Sequence, residues 1–208
     1  MPPASDYAVF LLAGLTLLLI PGPAVLYVVG QSIDGGRRAG IASVLGITTG
    51  TLVHITAAAA GLSALIVSSR VAFDAVRYAG AAYLIAIGLL RIVRRTADGA
   101  ADTPAPTHDL RRAYTRGVVV NVLNPKTALF FLAFLPQFVD ASRGRPWLQI
   151  VVLGLSFAGL GTLSDGTYAL LAGSVAGRLR GSRRFDLVQR WVPGSLFVGL
   201  GIFAAARS

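Results

Sequence analysis

Two proline breaks and three ionisable side chains are where this chain has the means to do chemistry. Pro21-Gly22-Pro23 and Asn124-Pro125-Lys126 each interrupt an otherwise apolar run. A proline inside a helix removes a backbone hydrogen bond and clashes with the preceding turn, costing about 3 kcal/mol, and hydrocarbon offers no water to the exposed groups. Asn124 suits the cap of a restarted half-helix whose first residue is Pro125, and Pro21-Gly22-Pro23 suits the same role. Such half-helix N-termini carry partial positive charge that favours a carboxylate, and Lys126, the one lysine of the chain, adds a full charge beside the second break. A purely structural kink, with Lys126 snorkelling or pairing internally, is the other reading.

Asp165 and His54 lie deep in other apolar runs. A carboxylate near the bilayer centre costs a few kcal/mol, so Asp165 needs a reason to be there. Counting at 1.5 Å per residue puts each roughly 20 Å from the cytoplasmic end of its helix. At equal depth the pair is able to carry a proton or hold an ammonium group, or else forms a static bond between helices. Thr48, Thr49, Thr51, Ser164 and Thr167 either line a cavity or bond back to their own helices. No cysteine, two histidines without a Glu-x-x-His pattern and no Gly-rich phosphate loop leave no metal site, no cofactor and no use of ATP to expect. Nor is there a nucleophile with a base and an orienting group, so no enzyme is expected.

The elements that must position these groups are membrane helices. The 208 residues are 54% hydrophobic and 13% charged, where soluble domains carry about 25% charged residues. Apolar runs of roughly twenty residues match the 30 Å of hydrocarbon. Six spans are predicted, at about 7–31, 41–67, 74–92, 117–139, 147–176 and 187–206. The arginine-rich connections 33–40, 93–116 and 177–186 then share the cytoplasmic side, which puts both termini outside. The net charge of +10 is thereby explained as topology and contact with the lipid bilayer rather than as nucleic-acid binding. Asp74 and Arg77 read as an interfacial ion pair and Trp147 as an interface anchor. Gly46 with Gly50, and Gly173 with Gly177, read as close helix contacts.

The chain forms one transmembrane domain, with repeat 1 at about 1–92, a cytoplasmic linker at about 93–116 and repeat 2 at about 117–208. The two breaks align, and Gly50-Thr51-Leu52-Val53-His54 aligns with Gly161-Thr162-Leu163-Ser164-Asp165. Three spans per half invert the second half relative to the first. The expected fold is therefore all-α, with six transmembrane helices in two inverted three-helix repeats.

Pro21-Gly22-Pro23, Gly35-x-Arg37-Arg38-Ala39-Gly40, Gly80-Ala81-Ala82-Tyr83-Leu84 with Gly88, Asn124-Pro125-Lys126-Thr127-Ala128-Leu129-Phe130-Phe131 and Pro136-Gln137-Phe138 follow one another along nearly the whole chain. In these motifs the sequence resembles the LysE/RhtB family of bacterial amino-acid exporters. The resemblance implies secondary export of amino acids or related small metabolites across the bacterial cytoplasmic (inner) membrane, driven by the proton gradient. Many members carry Asn after the Pro-Gly-Pro and Asp in the second span, where this chain has Ala24 and Thr51, which makes its pocket less polar. The expected transport site comprises Pro21, Gly22, Pro23, Asn124, Pro125, Lys126, Asp165 and His54, with a small amino acid or analogue as substrate. A homo-oligomer stays open, and efflux of another solute or cation, or a non-transporting scaffold subunit, are the alternatives.

Overall fold

The computed structural model describes residues 3–68 and 109–179, with isolated helical positions between 71 and 89 and between 195 and 202. Every regular element among them is helical: α1 (Ala4–Leu19), α2 (Pro23–Asp34), α3 (Gly36–Ser68), α4 (Leu110–Val122), α5 (Pro125–Leu129) and α6 (Pro146–Leu179). Between α5 and α6 lie a π-helical turn at Phe130–Phe134 and 3-10 turns at Leu135–Phe138 and Ala141–Arg143. Gly36–Gly61 and Pro146–Ala172 are each long and apolar enough to cross a membrane. Two bent pairs, Ala4–Leu19 with Pro23–Ile33 at 50° and Leu110–Val122 with Pro125–Phe138 at 46°, are also long enough if each counts as one span. The predicted spans 74–92 and 187–206, the Asp74 and Arg77 pair, and the side chains of 173–177 lie outside the described residues.

One boundary differs from expectation. Residues 110–116, assigned to the linker, are the first two turns of α4. The Asp109 carboxylate accepts from the amides of Arg111 at 3.0 Å and Arg112 at 3.3 Å, which caps the helix and lets it project with its exposed arginines.

Helix directions follow from the contacts. Gly46 of α3 lies against Tyr114 and Gly117 of α4, and Gly50 lies against Val118 and Asn121, so α3 and α4 run parallel. Thr48 bonds Thr162, and Ile55 packs on Gly154, so α3 and α6 are antiparallel. Phe10 meets Phe134 and Phe138, while the Tyr27 hydroxyl donates to the Ala113 carbonyl. The two bent pairs are therefore antiparallel to each other.

Two kinds of packing hold this arrangement. At the α3 and α4 seam a side chain is excluded. A Cβ on Gly46 would collide with the Tyr114 carbonyl oxygen and stand 3.1 Å from the Gly117 Cα, one on Gly50 would stand 2.8 Å from the Asn121 Cβ, and one on Gly117 would stand 2.8 Å from the Ser43 carbonyl oxygen. The Gly46 and Gly50 spacing is thus a backbone-to-backbone contact, as expected of small residues in a membrane. At the other end Phe10, Phe130, Phe131, Phe134, Phe138 and Phe157 form one buried cluster, with Phe130 and Phe157 stacked at 3.9 Å. The π-helical turn belongs to this cluster. Pro136 has no N–H and crowds the carbonyl four residues back, and the turn before it widens until the Leu135 amide reaches the Phe130 carbonyl.

The loop into α6 is closed by Gln149, whose side chain donates to the Asp140 carbonyl at 2.8 Å and accepts from the Asp140 amide at 3.0 Å. Trp147 is half-exposed at the start of α6, in keeping with an interface anchor. A hydrogen bond from Ser142, helped by Arg143, holds the Asp140 carboxyl below its ordinary value of 3.8.

Two outcomes follow for stability. Gly46→Ala is expected to lower unfolding stability in detergent by about 1 to 3 kcal/mol through overpacking. Gly159→Ala, where no described atom lies within 4 Å, is expected to be neutral or to gain up to about 1 kcal/mol. Because the folded value of Asp140 is depressed, its contribution is present above the unfolded carboxyl value and is lost as pH falls through the folded one. Hydrogen exchange at the Ser142 amide should therefore accelerate below about pH 4, beyond its intrinsic pH dependence, and Asp140→Asn should remove that excess.

Candidate functional site

At the first break α1 ends at Leu19, Ile20 is extended, and α2 restarts at Pro23 with no side chain capping its N-terminus. Carbonyls orphaned at such an end must find donors when water is absent. The Tyr168 hydroxyl of α6 donates to the Leu19 carbonyl at 2.9 Å, and the Lys126 Nζ donates to the Ile20 carbonyl at 2.7 Å. At the second break Asn124 is the cap of α5, its Oδ1 accepting the Lys126 amide at 3.0 Å. The two breaks therefore differ in kind. The second helix start has a side-chain cap, whereas the first lacks one, so the Lys126 amide is already committed to Asn124.

The breaks meet at a buried cavity of about 40 Å³. Gly22, Asn124, Lys126 and Asp165 all line it, and a Cβ on Gly22 would stand 3.3 Å from the Lys126 Cδ. Asp165 is 5% exposed. One flank of the cavity is polar, with Thr48, Thr51, Asn121, Thr127 and Thr162, and another is apolar, with Leu17, Leu18 and Phe157. The cavity thus places one cationic and one anionic side chain among neutral groups.

His54 is not brought to this cavity. Its Nε2 lies 3.1 Å from the Asn121 carbonyl oxygen, and its ring stacks on Phe131 at 5.8 Å between centroids. The expected equal depth of His54 and Asp165 is corrected by the packing. Thr48 and Thr162 are level across two antiparallel helices, and His54 and Asp165 lie on opposite sides of that level, roughly 13 Å apart along the axis. Counting from predicted helix ends misses the stagger between α3 and α6.

Asn121 is the residue that reading the sequence missed. It is 1% exposed, and its Nδ2 donates to the Ile47 carbonyl at 2.7 Å and to the Thr51 hydroxyl at 2.8 Å. Its Oδ1 accepts from the Thr127 hydroxyl at 2.9 Å. One side chain thereby joins α3, α4 and α5 directly beneath the second break. An amide inside an apolar run is the signal that marks it. Tyr168, one turn beyond Asp165 on α6, was also missed, since a tyrosine in an apolar run carries no distinctive mark. Of the hydroxyl residues, Thr48 and Thr51 line the cavity while bonding back to Val44 and Ile47. Thr49 bonds Leu45 and Tyr114, and Thr167 bonds back to Leu163. The buried Ser164 hydroxyl has no partner among the described residues.

Residues 15–208 match the family described as LysE type translocator. The homoserine/homoserine lactone efflux protein of Salmonella typhimurium is 35% identical over 201 residues, covering 95% of each chain. The leucine efflux protein of Klebsiella pneumoniae is 28% identical over 198 residues, covering 93% of this chain and 92% of its own. A membrane protein of Vibrio cholerae is 29% identical over 199 residues, covering 94% of each. No solved structure matches the chain.

The Asn121 junction makes a quantitative expectation. Asn121→Ala leaves buried groups on α3 and α5 without their partner and should cost about 2 kcal/mol or more in thermal or denaturant unfolding. Asn124→Ala removes a single cap and should cost about 1 kcal/mol. Equal losses would show that Asn121 joins nothing beyond its own helix.

Proposed function

Because the chain belongs to the LysE-type translocator family, we propose that it is a secondary transporter exporting amino acids or related small metabolites across the cytoplasmic membrane, coupled to the proton gradient. The observation that carries this reading is the shared cavity of Lys126 and Asp165 at the meeting of two broken helices. The amino-acid efflux proteins among its relatives support the substrate class. Lys126, with the uncapped amides at the start of α2, holds the substrate carboxylate. Asp165 holds the ammonium group or exchanges it for a proton. His54 acts at a distance, through the Asn121 carbonyl at the end of α4.

The transmembrane domain is six spans in two inverted repeats, with both termini outside. Parallel α3 and α4 support a third crossing between them, and the antiparallel bent pairs support the inversion. Gly22 and Asn124 hold the same place in the two halves, each immediately before the proline that restarts a helix, and both line the cavity. The cavity of about 40 Å³ holds a few waters at most. Substrate entry therefore requires one half to rock away from the other, with a carboxylate displacing the Ile20 carbonyl from Lys126.

Purified protein in proteoliposomes, loaded with each amino acid in turn, tests this by counterflow of label. Exchange of one chemical class is expected, and Lys126→Ala or Asp165→Asn should lower it by about a hundredfold. Full pH-gradient-driven uptake into inverted vesicles by Asp165→Asn would remove the proton role from that residue. Silence across the panel with folded protein would favour another solute or a scaffold role.

A further inference from the structure

The charge and hydrogen-bond balance of the cavity narrows the substrate. We infer that the protein exports α-amino acids with small uncharged side chains and distinguishes poorly between a hydroxyl and a methyl group on them. This rests on the export reading above. Among the described lining residues the cavity holds one cation, Lys126, and one anion, Asp165. A zwitterionic amino acid uses both, its carboxylate on Lys126 and its ammonium on Asp165. A lysine, arginine, aspartate or glutamate substrate brings a third charge for which no described lining residue offers a partner, and a buried unpaired charge is strongly disfavoured.

The neutral flank leads to the second half of the inference. Sites built to bond a substrate hydroxyl reject the analogue lacking it, because their own polar groups are then left unpaired. Here those groups are already paired with one another. Thr48 and Thr162 share a hydrogen bond of 2.8 Å, and each also donates or is able to donate to its own helix, at Val44 and Ala158. Thr51 bonds the Ile47 carbonyl and accepts from Asn121, and Thr127 donates to Asn121. A methyl group placed against this flank strands no donor, and a hydroxyl placed there still finds oxygen lone pairs. By contrast, the Asp165 carboxylate accepts no hydrogen bond among the described residues, so the polar demand of the site falls on the substrate ammonium. The far wall limits size. Phe157 lines the cavity, stacks on Phe130 at 3.9 Å and meets Phe131 edge-on at 5.8 Å, so neighbouring rings hold it in place.

The test is a counterflow panel on the reconstituted full-length protein with labelled valine, threonine, lysine and glutamate. Valine and threonine, which are isosteric, should exchange within about tenfold of each other, below the roughly hundredfold that even a hydrophobic pocket gives. Lysine and glutamate should exchange about a hundredfold less. Phe157→Leu should raise exchange of leucine relative to valine, and circular dichroism and size-exclusion elution monitor its folding. Lysine or glutamate exchanging as well as valine would overturn the inference and leave amino-acid export standing. So would a valine to threonine ratio beyond about tenfold in either direction. No exchange of any amino acid by folded protein would overturn the inference and the export reading together.

Discussion

Hydrocarbon offers no hydrogen bonds, and two proline breaks interrupt the backbone ladder where none can be lost. The structure around both breaks is the answer to that constraint. Tyr168 and Lys126 satisfy the end of α1, Asn124 satisfies the start of α5, and His54 approaches the end of α4 through the Asn121 carbonyl. Tyr168, Lys126 and His54 each reach a carbonyl on another helix, so repairing the breaks is also what ties the helices together. The cavity is the space left where the two repairs meet. Its ionic character follows from the same necessity, since Lys126 serves the broken end of α1 and faces the cavity with the same side chain.

The rest of the fold brings the breaks within reach of one another. Glycines at the α3 and α4 seam let the backbones touch, which sets Asn121 against Ile47 and Thr51. The aromatic cluster packs α1 against the widened turn before Pro136, and so aligns the second break with the first. Packing in this molecule thus acts chiefly through position. Small residues close one side and large rings close the other, with a polar layer between them.

Much of this was legible in the residues themselves. Proline lacks an N–H wherever it sits, so both breaks could be read from the chain, and so could the four apolar runs now seen as α3, α6 and the two bent pairs. The Gly46 and Gly50 spacing carried its contact openly. Three-dimensional relations were harder to read. His54 and Asp165 were set at one depth because their helices were counted from predicted ends, and the stagger of two packed helices is not written in either one. Asn121 was overlooked because an amide gains its meaning from what surrounds it, here Ile47 and Thr51 about seventy residues away together with Thr127 of the next helix. The linker boundary moved because the apolar run that marks the span begins at Gly117, whereas the Asp109 cap starts the helix two turns earlier.

The glycine seam between α3 and α4 also sets where the molecule can yield. Two backbones in contact have no rotamers to exchange and no side-chain volume to redistribute, so that wall has a single arrangement and behaves as a stiff plate. The opposing wall, α1 and α2 against α6, also meets through the side chains of Leu18, Tyr7 and Tyr168, which can change rotamer under load. Mechanical compliance is therefore distributed unevenly around the cavity, and thermal fluctuations should be largest on the wall whose contacts are made by side chains.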